Sequence, residues 1–136
     1  IIYTGAIDEF FHYRFGKLPY RSLEFEWETR GEEYAQNVAT INYPSEEIPY
    51  TRQTEYKHLT GQQHAKTTLC REYSQSEGDP FYPIPCARSR ELFLKYRALA
   101  DTLDGVHFVG RLGSYRYMNM DQVVAQALAL CEKLTA

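Results

Sequence analysis

The sequence predicts an α+β fold: a largely antiparallel sheet followed by helix, strand and helix. Three observations carry that prediction. Residues 23–28, Leu-Glu-Phe-Glu-Trp-Glu, alternate apolar and acidic with period two, as in a strand with one face buried and the other wet. Leu92, Phe93, Tyr96, Leu99, Ala100 and Leu103 recur at helical spacing and share one face. The strand patterns come first and the helices after them, the order expected of α+β.

In chain order, Ile1 to Gly5 reads as a buried strand ending in a glycine turn. A strand with no cap or linker before it implies a chain cut from a longer protein. Val38 to Tyr43 is a further strand, followed by the turn-rich stretch Pro44 to Pro49. Tyr50 to Leu59 and Thr67 to Tyr73 are read as an antiparallel pair joined through Gly61-Gln62-Gln63-His64. Three prolines in residues 78–85 remove backbone donors, so that stretch is a stiff loop presenting Phe81 and Tyr82. Ser89 to Leu103 is a helix with Ser89 as its cap and Gly105 beyond its end. Val106 to Leu112 reads as a strand. Asp121 to Leu134 is a second helix, with Val124, Ala127, Leu128 and Cys131 as its inner stripe. Asn119 and Gln122 have the spacing of a capping box.

Composition narrows the classes of function. Apolar residues make up 43% of the 136 and charged residues 24%, the balance of a globular domain. A net charge of −3 with no long basic run excludes nucleic acid and acidic membranes as expected partners. No apolar stretch long enough to span a bilayer occurs, so no membrane insertion is expected. Cys70, Cys86 and Cys131 share no metal spacing and read as reduced thiols of a cytoplasmic protein. His12, His58, His64 and His107 form no chelating pair, so no metal is expected. Twelve tyrosines against one tryptophan suit surfaces that are half packed and half wet.

The stretch richest in chemistry is 110–122, Gly-Arg-Leu-Gly-Ser-Tyr-Arg-Tyr-Met-Asn-Met-Asp-Gln. Glycines there allow close backbone approach, and the start of a helix offers free N–H groups and a positive dipole end to an anion or electron-rich atom. Arg111 and Arg116 could add charge, and Tyr115 and Tyr117 could add hydroxyl donors. Arg52, in Pro49-Tyr50-Thr51-Arg52, could grip a phosphate bidentately, although taken alone it reads more simply as a surface ion-pair partner. Glu72 reads most simply as a solvated strand residue. Tyr82 sits on the stiffened loop, where a contact role and a loop-pinning role are equally good. No nucleophile–base pair, P-loop or G-x-G-x-x-G motif occurs.

These segments, taken in order, resemble the UDP-galactopyranose mutase family over nearly the whole chain. The matching stretches are Ile2-Tyr3-Thr4-Gly5 with Ile7-Asp8, Tyr13-Arg14-Phe15-Gly16-Lys17-Leu18, Tyr20-Arg21-Ser22-Leu23 and Pro49-Tyr50-Thr51-Arg52. Arg71-Glu72-Tyr73, Gly78-Asp79-Pro80-Phe81-Tyr82-Pro83, Gly110-Arg111-Leu112, Tyr115-Arg116-Tyr117 and Met120-Asp121-Gln122-Val123 complete the series. The resemblance implies a C-terminal portion of an FAD enzyme, active when reduced. In that family flavin N5 attacks the anomeric carbon of UDP-galactopyranose and expels UDP, and the ring opens and recloses as the furanose on the flavin N5–sugar adduct. It further implies a role in making galactofuranose-containing surface polysaccharide, and a homodimer when intact.

By position, the resemblance makes Arg52 a catalytic and diphosphate-binding residue, Glu72 a catalytic acid lining the active site, and Tyr82 and Tyr117 diphosphate ligands. Gly110, Arg111, Asn119, Met120, Asp121 and Gln122 become the segment that passes the flavin. It also implies three regions: 1–22 ending an FAD-binding Rossmann-like portion, 23–85 a substrate-binding antiparallel sheet, and 86–136 a helix-strand-helix that completes the FAD-binding domain in the intact protein. Met118-Asn119 departs from the family's usual Tyr-Asp, and Phe81 replaces the first of a usual tyrosine pair. Without the N-terminal half the chain alone is expected to be inactive and not to retain FAD. An amine-oxidase-like flavoenzyme would fit the joint at 110–122 but neither Tyr-Thr-Arg nor the proline loop. A non-catalytic sugar-nucleotide or carbohydrate-binding module would bind UDP or UDP-galactose without flavin.

Overall fold

A computed structural model describes residues 1–135 of the chain. Its elements run β1 (Ile2–Tyr3), α1 (Ile7–Phe10), β2 (Tyr20–Arg30), β3 (Thr40–Asn42), β4 (Arg52–Glu55), α2 (Lys57–Thr60), β5 (Thr67–Gln75), β6 (Tyr82–Pro83), α3 (Ala87–Ala100), β7 (His107–Phe108), α4 (Gly110–Gly113) and α5 (Met120–Thr135). The fold is α+β with antiparallel strand pairs, as the sequence predicts. The chain divides into two compact units, Ile1–Arg21 with Asp79–Ala136, and Ser22–Gly78.

The first unit packs around Ile7, Leu18, Tyr96, Ala100, Phe108 and Tyr115. Tyr96 from α3 is fully buried, and removing its ring from water stabilises the unit by roughly 2–3 kcal/mol. Its hydroxyl is satisfied on both sides, donating to the Gly16 carbonyl (2.7 Å) and accepting from the Phe15 N–H (2.9 Å). Asp8 is buried as well, and its carboxylate accepts from the Leu18 N–H (2.9 Å) and the Tyr20 hydroxyl (3.2 Å). Burial, and after it the Asp8 charge, pushes the Tyr20 phenol well above its usual range, so it stays a proton donor to Asp8.

The expected helix stripe of α3 is correct, but its cap is not Ser89. Cys86 holds the N-cap position; its Sγ accepts from the Ser89 N–H (3.4 Å), and Ser89 Oγ accepts from the Cys86 N–H (2.9 Å). The proline loop is also not purely a loop, because Tyr82–Pro83 forms a short edge strand against Tyr20 and Arg21. Pro83 is tolerated there because an edge position needs no second backbone donor.

Three expectations for this unit fail for physical reasons. Ile1 and Ile2 were expected to be buried, yet both are exposed, because β1 belongs to a two-stranded parallel ribbon with β7 that leaves these side chains uncovered. The strand expected over Val106 to Leu112 stops at Phe108 and becomes α4. Gly110, at φ +80, turns the backbone out of the extended region, and Ser114 Oγ ties back to the Gly110 carbonyl at 2.5 Å. The inner stripe chosen for α5 faces solvent: Val124 is 58% exposed and Leu128 61%. The half-buried positions are Val123, Gln126 and Leu130, one residue earlier around the helix. Gln126 sets that rotation by accepting the Gly110 N–H at 2.7 Å.

The second unit is an antiparallel sheet in the order β3-β4-β5-β2. The register pairs Arg52 with Glu72, Trp27 with Cys70 and Asn42 with Arg52. Directly opposed residues share a face. One face therefore carries Phe25, Trp27, Cys70, Glu72, Arg52, Thr54 and Asn42. The opposite face carries Glu24, Glu26, Glu28, Arg71 and Tyr73, knitted by Arg71 to Glu28 (2.6 Å) and by Tyr73 to Glu26 (2.7 Å).

Leu23, Phe25 and Trp27 were expected to be buried against a core. Instead Leu23 is half-buried and the two aromatics are exposed, so within this unit period two marks a sheet face without marking burial. The strand expected from Tyr50 to Leu59 likewise ends at Glu55, and Lys57–Thr60 turns into α2. Two buried charges impose that turn. Glu55 accepts from the Ala35 and Gln36 N–H groups (both 3.0 Å) and from Thr67 Oγ1 (2.5 Å). The Lys57 ammonium donates to the carbonyls of Glu33 (2.7 Å), His64 and Lys66.

Candidate functional site

The predicted residues fall into two groups, one in each unit. In the second unit, Arg52 opens β4 and Glu72 lies opposite it on β5. The guanidinium NH1 is 3.8 Å from the Glu72 carboxylate, and Nε donates to Asn42 Oδ1 at 3.0 Å. The ion pair is long and Arg52 is nearly half exposed, so it contributes at most about 1 kcal/mol and leaves NH groups available to a ligand. Glu72 is more enclosed than Arg52. It is therefore not the solvated strand residue that its sequence context suggests.

Asn42 and the exposed rings were not visible as site residues in the sequence. Asn42 orients Arg52 only because the β3–β4 register places the two opposite each other, ten residues apart in the chain. Trp27 is 60% exposed and stacks on Tyr56 with centroids 5.7 Å apart and an interplanar angle of 24°. Burial, then Cys70, then the Glu72 charge push the Tyr56 phenol above its usual range, so it remains a neutral hydroxyl at physiological pH.

In the first unit, Arg111, Tyr82 and Tyr117 come together although 35 residues separate the two tyrosines. The Arg111 guanidinium carbon sits 5.4 Å from the Tyr82 ring centroid and 5.6 Å from that of Tyr117. The two rings are 6.0 Å apart. Arg111 Nε donates to the Met118 carbonyl at 2.6 Å, so the arginine is fixed from the chain that leads into α5. Its role here is to hold the two tyrosines, with Tyr117 exposed and Tyr82 half-buried.

Tyr115, weighed as a ligand donor from sequence, serves the core instead. It is buried, and its hydroxyl donates to the carbonyls of Pro19 (2.7 Å) and Ile84 (3.1 Å). Met118 is also buried, an environment that suits its apolar side chain.

The start of α5 was expected to carry a capping box, and one half of it is present: the Asn119 N–H donates to Gln122 Oε1 at 2.9 Å. Met120 is 82% exposed and Asn119, Asp121 and Gln122 are exposed too, so the first-turn N–H groups open outward. Gly113 sits where a Cβ would come within 3.0 Å of the Tyr3 carbonyl and 3.4 Å of the Phe108 carbonyl carbon. This close approach locks α4 onto the β1–β7 ribbon and fixes where the chain leaves for α5. A helix start exposed behind a glycine-built joint is a place where free N–H groups and the positive dipole end can meet an anion or an electron-rich group.

Among the described residues, no cluster of His, Cys, Asp or Glu could hold a metal ion, and no helix is long and apolar enough to cross a membrane.

Comparison with known proteins places these features in context. The family model described as UDP-galactopyranose mutase matches residues 1–117. The chain is 39% identical over 137 residues to a probable UDP-galactopyranose mutase of Klebsiella pneumoniae, covering 98% of this chain and 35% of that protein. It is 38% identical to a UDP-galactopyranose mutase of Mycoplasma pneumoniae, covering 98% and 36%. A dTDP-fucopyranose mutase of Escherichia coli is 36% identical, with 94% and 35% covered. The chain thus spans about a third of the length of the curated relatives it matches. With the family model covering most of its residues, the chain belongs to the UDP-galactopyranose mutase family.

Proposed function

We propose that this chain is the C-terminal part of a flavin-dependent mutase that interconverts UDP-galactopyranose and UDP-galactofuranose. The observation that best supports it is the Arg52 arrangement. A half-exposed guanidinium, aimed by Asn42 and only loosely paired with Glu72, retains the N–H groups needed to grip a diphosphate. Tyr82 and Tyr117, held by Arg111, supply two further hydroxyl donors suited to phosphate oxygens. Holding the diphosphate keeps the leaving group in place for recapture, so these residues act by positioning and by stabilising negative charge. Glu72, enclosed beside Arg52, tempers that positive charge and steers its fork.

Asn119, Met120, Asp121 and Gln122, with Gly110 and Arg111 behind them, would hold FAD. The positive end of α5 favours the electron-rich reduced ring. Bound there, the reduced flavin would supply the nucleophile that opens and recloses the sugar. The chain alone is inactive and does not retain FAD in this reading, because its relatives are about three times as long. The intact enzyme is a cytoplasmic homodimer that serves galactofuranose polysaccharide synthesis.

The test is product analysis. Reduced full-length protein incubated with UDP-galactopyranose yields UDP-galactofuranose on chromatography. Turnover of dTDP-fucose alone would move the assignment to the sugar nucleotide named for the Escherichia coli relative. Oxidation of an amine with no furanose product would place it among amine oxidases.

A further inference from the structure

The exposed Trp27–Tyr56 stack lines a cleft of about 300 Å³ in the second unit, which extends along the sheet toward Thr29 and Thr68, while Arg52 and Glu72 lie on the other side of the stack. Its rim is supplied by Gln62, His64 and Lys66 from the turn that follows α2, and by Thr68 from β5. Every ionisable group on the rim is cationic or a donor, and no carboxylate lines the cleft. The Lys66 ammonium has no ion-pair partner among the described residues. His64 Nδ1 lies 3.0 Å from the Lys66 N–H and 3.3 Å from the Lys66 carbonyl, so the backbone of Lys66 engages this nitrogen and Nε2 is the ring nitrogen without a backbone partner.

The rim is also preorganised. Buried Lys57 donates to the carbonyls of His64, Lys66 and Glu33, and its ammonium lies 4.7 Å from the Tyr34 ring centroid. The turn that carries His64 and Lys66 is therefore tied down before any ligand arrives. The exposed Trp27 ring, backed by Tyr56, sets a flat apolar surface beside these fixed donors.

We propose that this cleft binds a saccharide ring carrying a negative charge, phosphate or carboxylate. The ring's C–H face lies on Trp27 and Tyr56, and the anionic oxygens meet Lys66 and His64. A cleft of this volume admits one hexose ring with its substituent. The cleft adjoins the diphosphate grip assigned to Arg52 on the same sheet face, and its own lining contains neither Arg52 nor Glu72.

Trp27 is the only tryptophan in the chain and lines the cleft, so its fluorescence responds to a ligand seated there. The purified 136-residue chain is titrated with galactose 1-phosphate, galacturonate, galactose and inorganic phosphate. Galactose 1-phosphate and galacturonate each shift the emission saturably, galactose binds at least about tenfold more weakly, and inorganic phosphate leaves the emission unchanged. Lys66→Ala, an exposed change checked for folding by circular dichroism, weakens both acidic sugars about tenfold. Arg52→Ala leaves their binding intact. Three results overturn the proposal: no saturable shift up to about 10 mM acidic sugar, equal binding of galactose, or loss of binding in Arg52→Ala, which would put the ligand on the diphosphate grip instead.

Discussion

Glu55 shows how much one side chain can carry. Burial pushes its carboxyl up, but the hydrogen bonds from Thr67, Ala35 and Gln36 and the charge of His58 outweigh burial and hold it below the usual carboxylate range. A carboxyl whose folded value is depressed stabilises above its unfolded value and loses that contribution as pH falls through the folded one. The second unit should therefore lose stability on acidification below the ordinary carboxylate range, as followed by Trp27 fluorescence. Glu55→Gln should cost about 2 kcal/mol at neutral pH in urea unfolding, because an amide cannot accept both loop N–H groups as a carboxylate does. An unchanged acid midpoint in that variant would show that other groups set the acid response. Arg111 carries a comparable responsibility in the first unit. Arg111→Ala should raise KM for the sugar nucleotide by about tenfold with a smaller change in kcat, since it removes the post behind Tyr82 and Tyr117 and leaves both hydroxyls present.

At the scale of elements, α3 was legible as a helix and in its buried face, because its apolar spacing and its burial agree at Tyr96 and Ala100, although Cys86 and not Ser89 caps it. α5 was legible as a helix but not in its orientation. Val124, Ala127, Leu128 and Cys131 make a good apolar stripe, and the helix turns a different one inward because Gln126 is tied to Gly110. Polar anchoring over sixteen residues of separation leaves no periodic trace. For the same reason α2 was read as strand: Lys57 and Glu55 are bonded to segments far along the chain. The joint itself makes a sharp prediction. Gly113→Ala should destabilise the first unit by about 1–3 kcal/mol in denaturant melts, because the new methyl meets backbone that cannot swing aside. A neutral effect would mean that α4 is free to shift off the β1–β7 ribbon.

Across the whole chain, the family was legible from ordered motifs, and so were the residue types that could meet a diphosphate. What could not be read was the support around them: Asn42 behind Arg52, Arg111 between two tyrosines, and the rings of Trp27 and Tyr56 on the sheet face. Each arises from register or from long-range packing, which local spacing does not encode. The exposed apolar side chains of Ile1, Ile2, Val124 and Leu128 have a consequence for handling the chain. It should self-associate at micromolar concentration in light scattering, and Val124→Glu with Leu128→Glu should reduce that association. The central claim is that Arg52 grips the diphosphate of a sugar nucleotide, and it is tested most directly by steady-state kinetics of the full-length enzyme carrying Arg52→Ala. A fall in kcat/KM of about 100-fold or more is predicted, equivalent to roughly 3 kcal/mol of lost charge-assisted bonding. Unchanged kinetics would contradict the assignment.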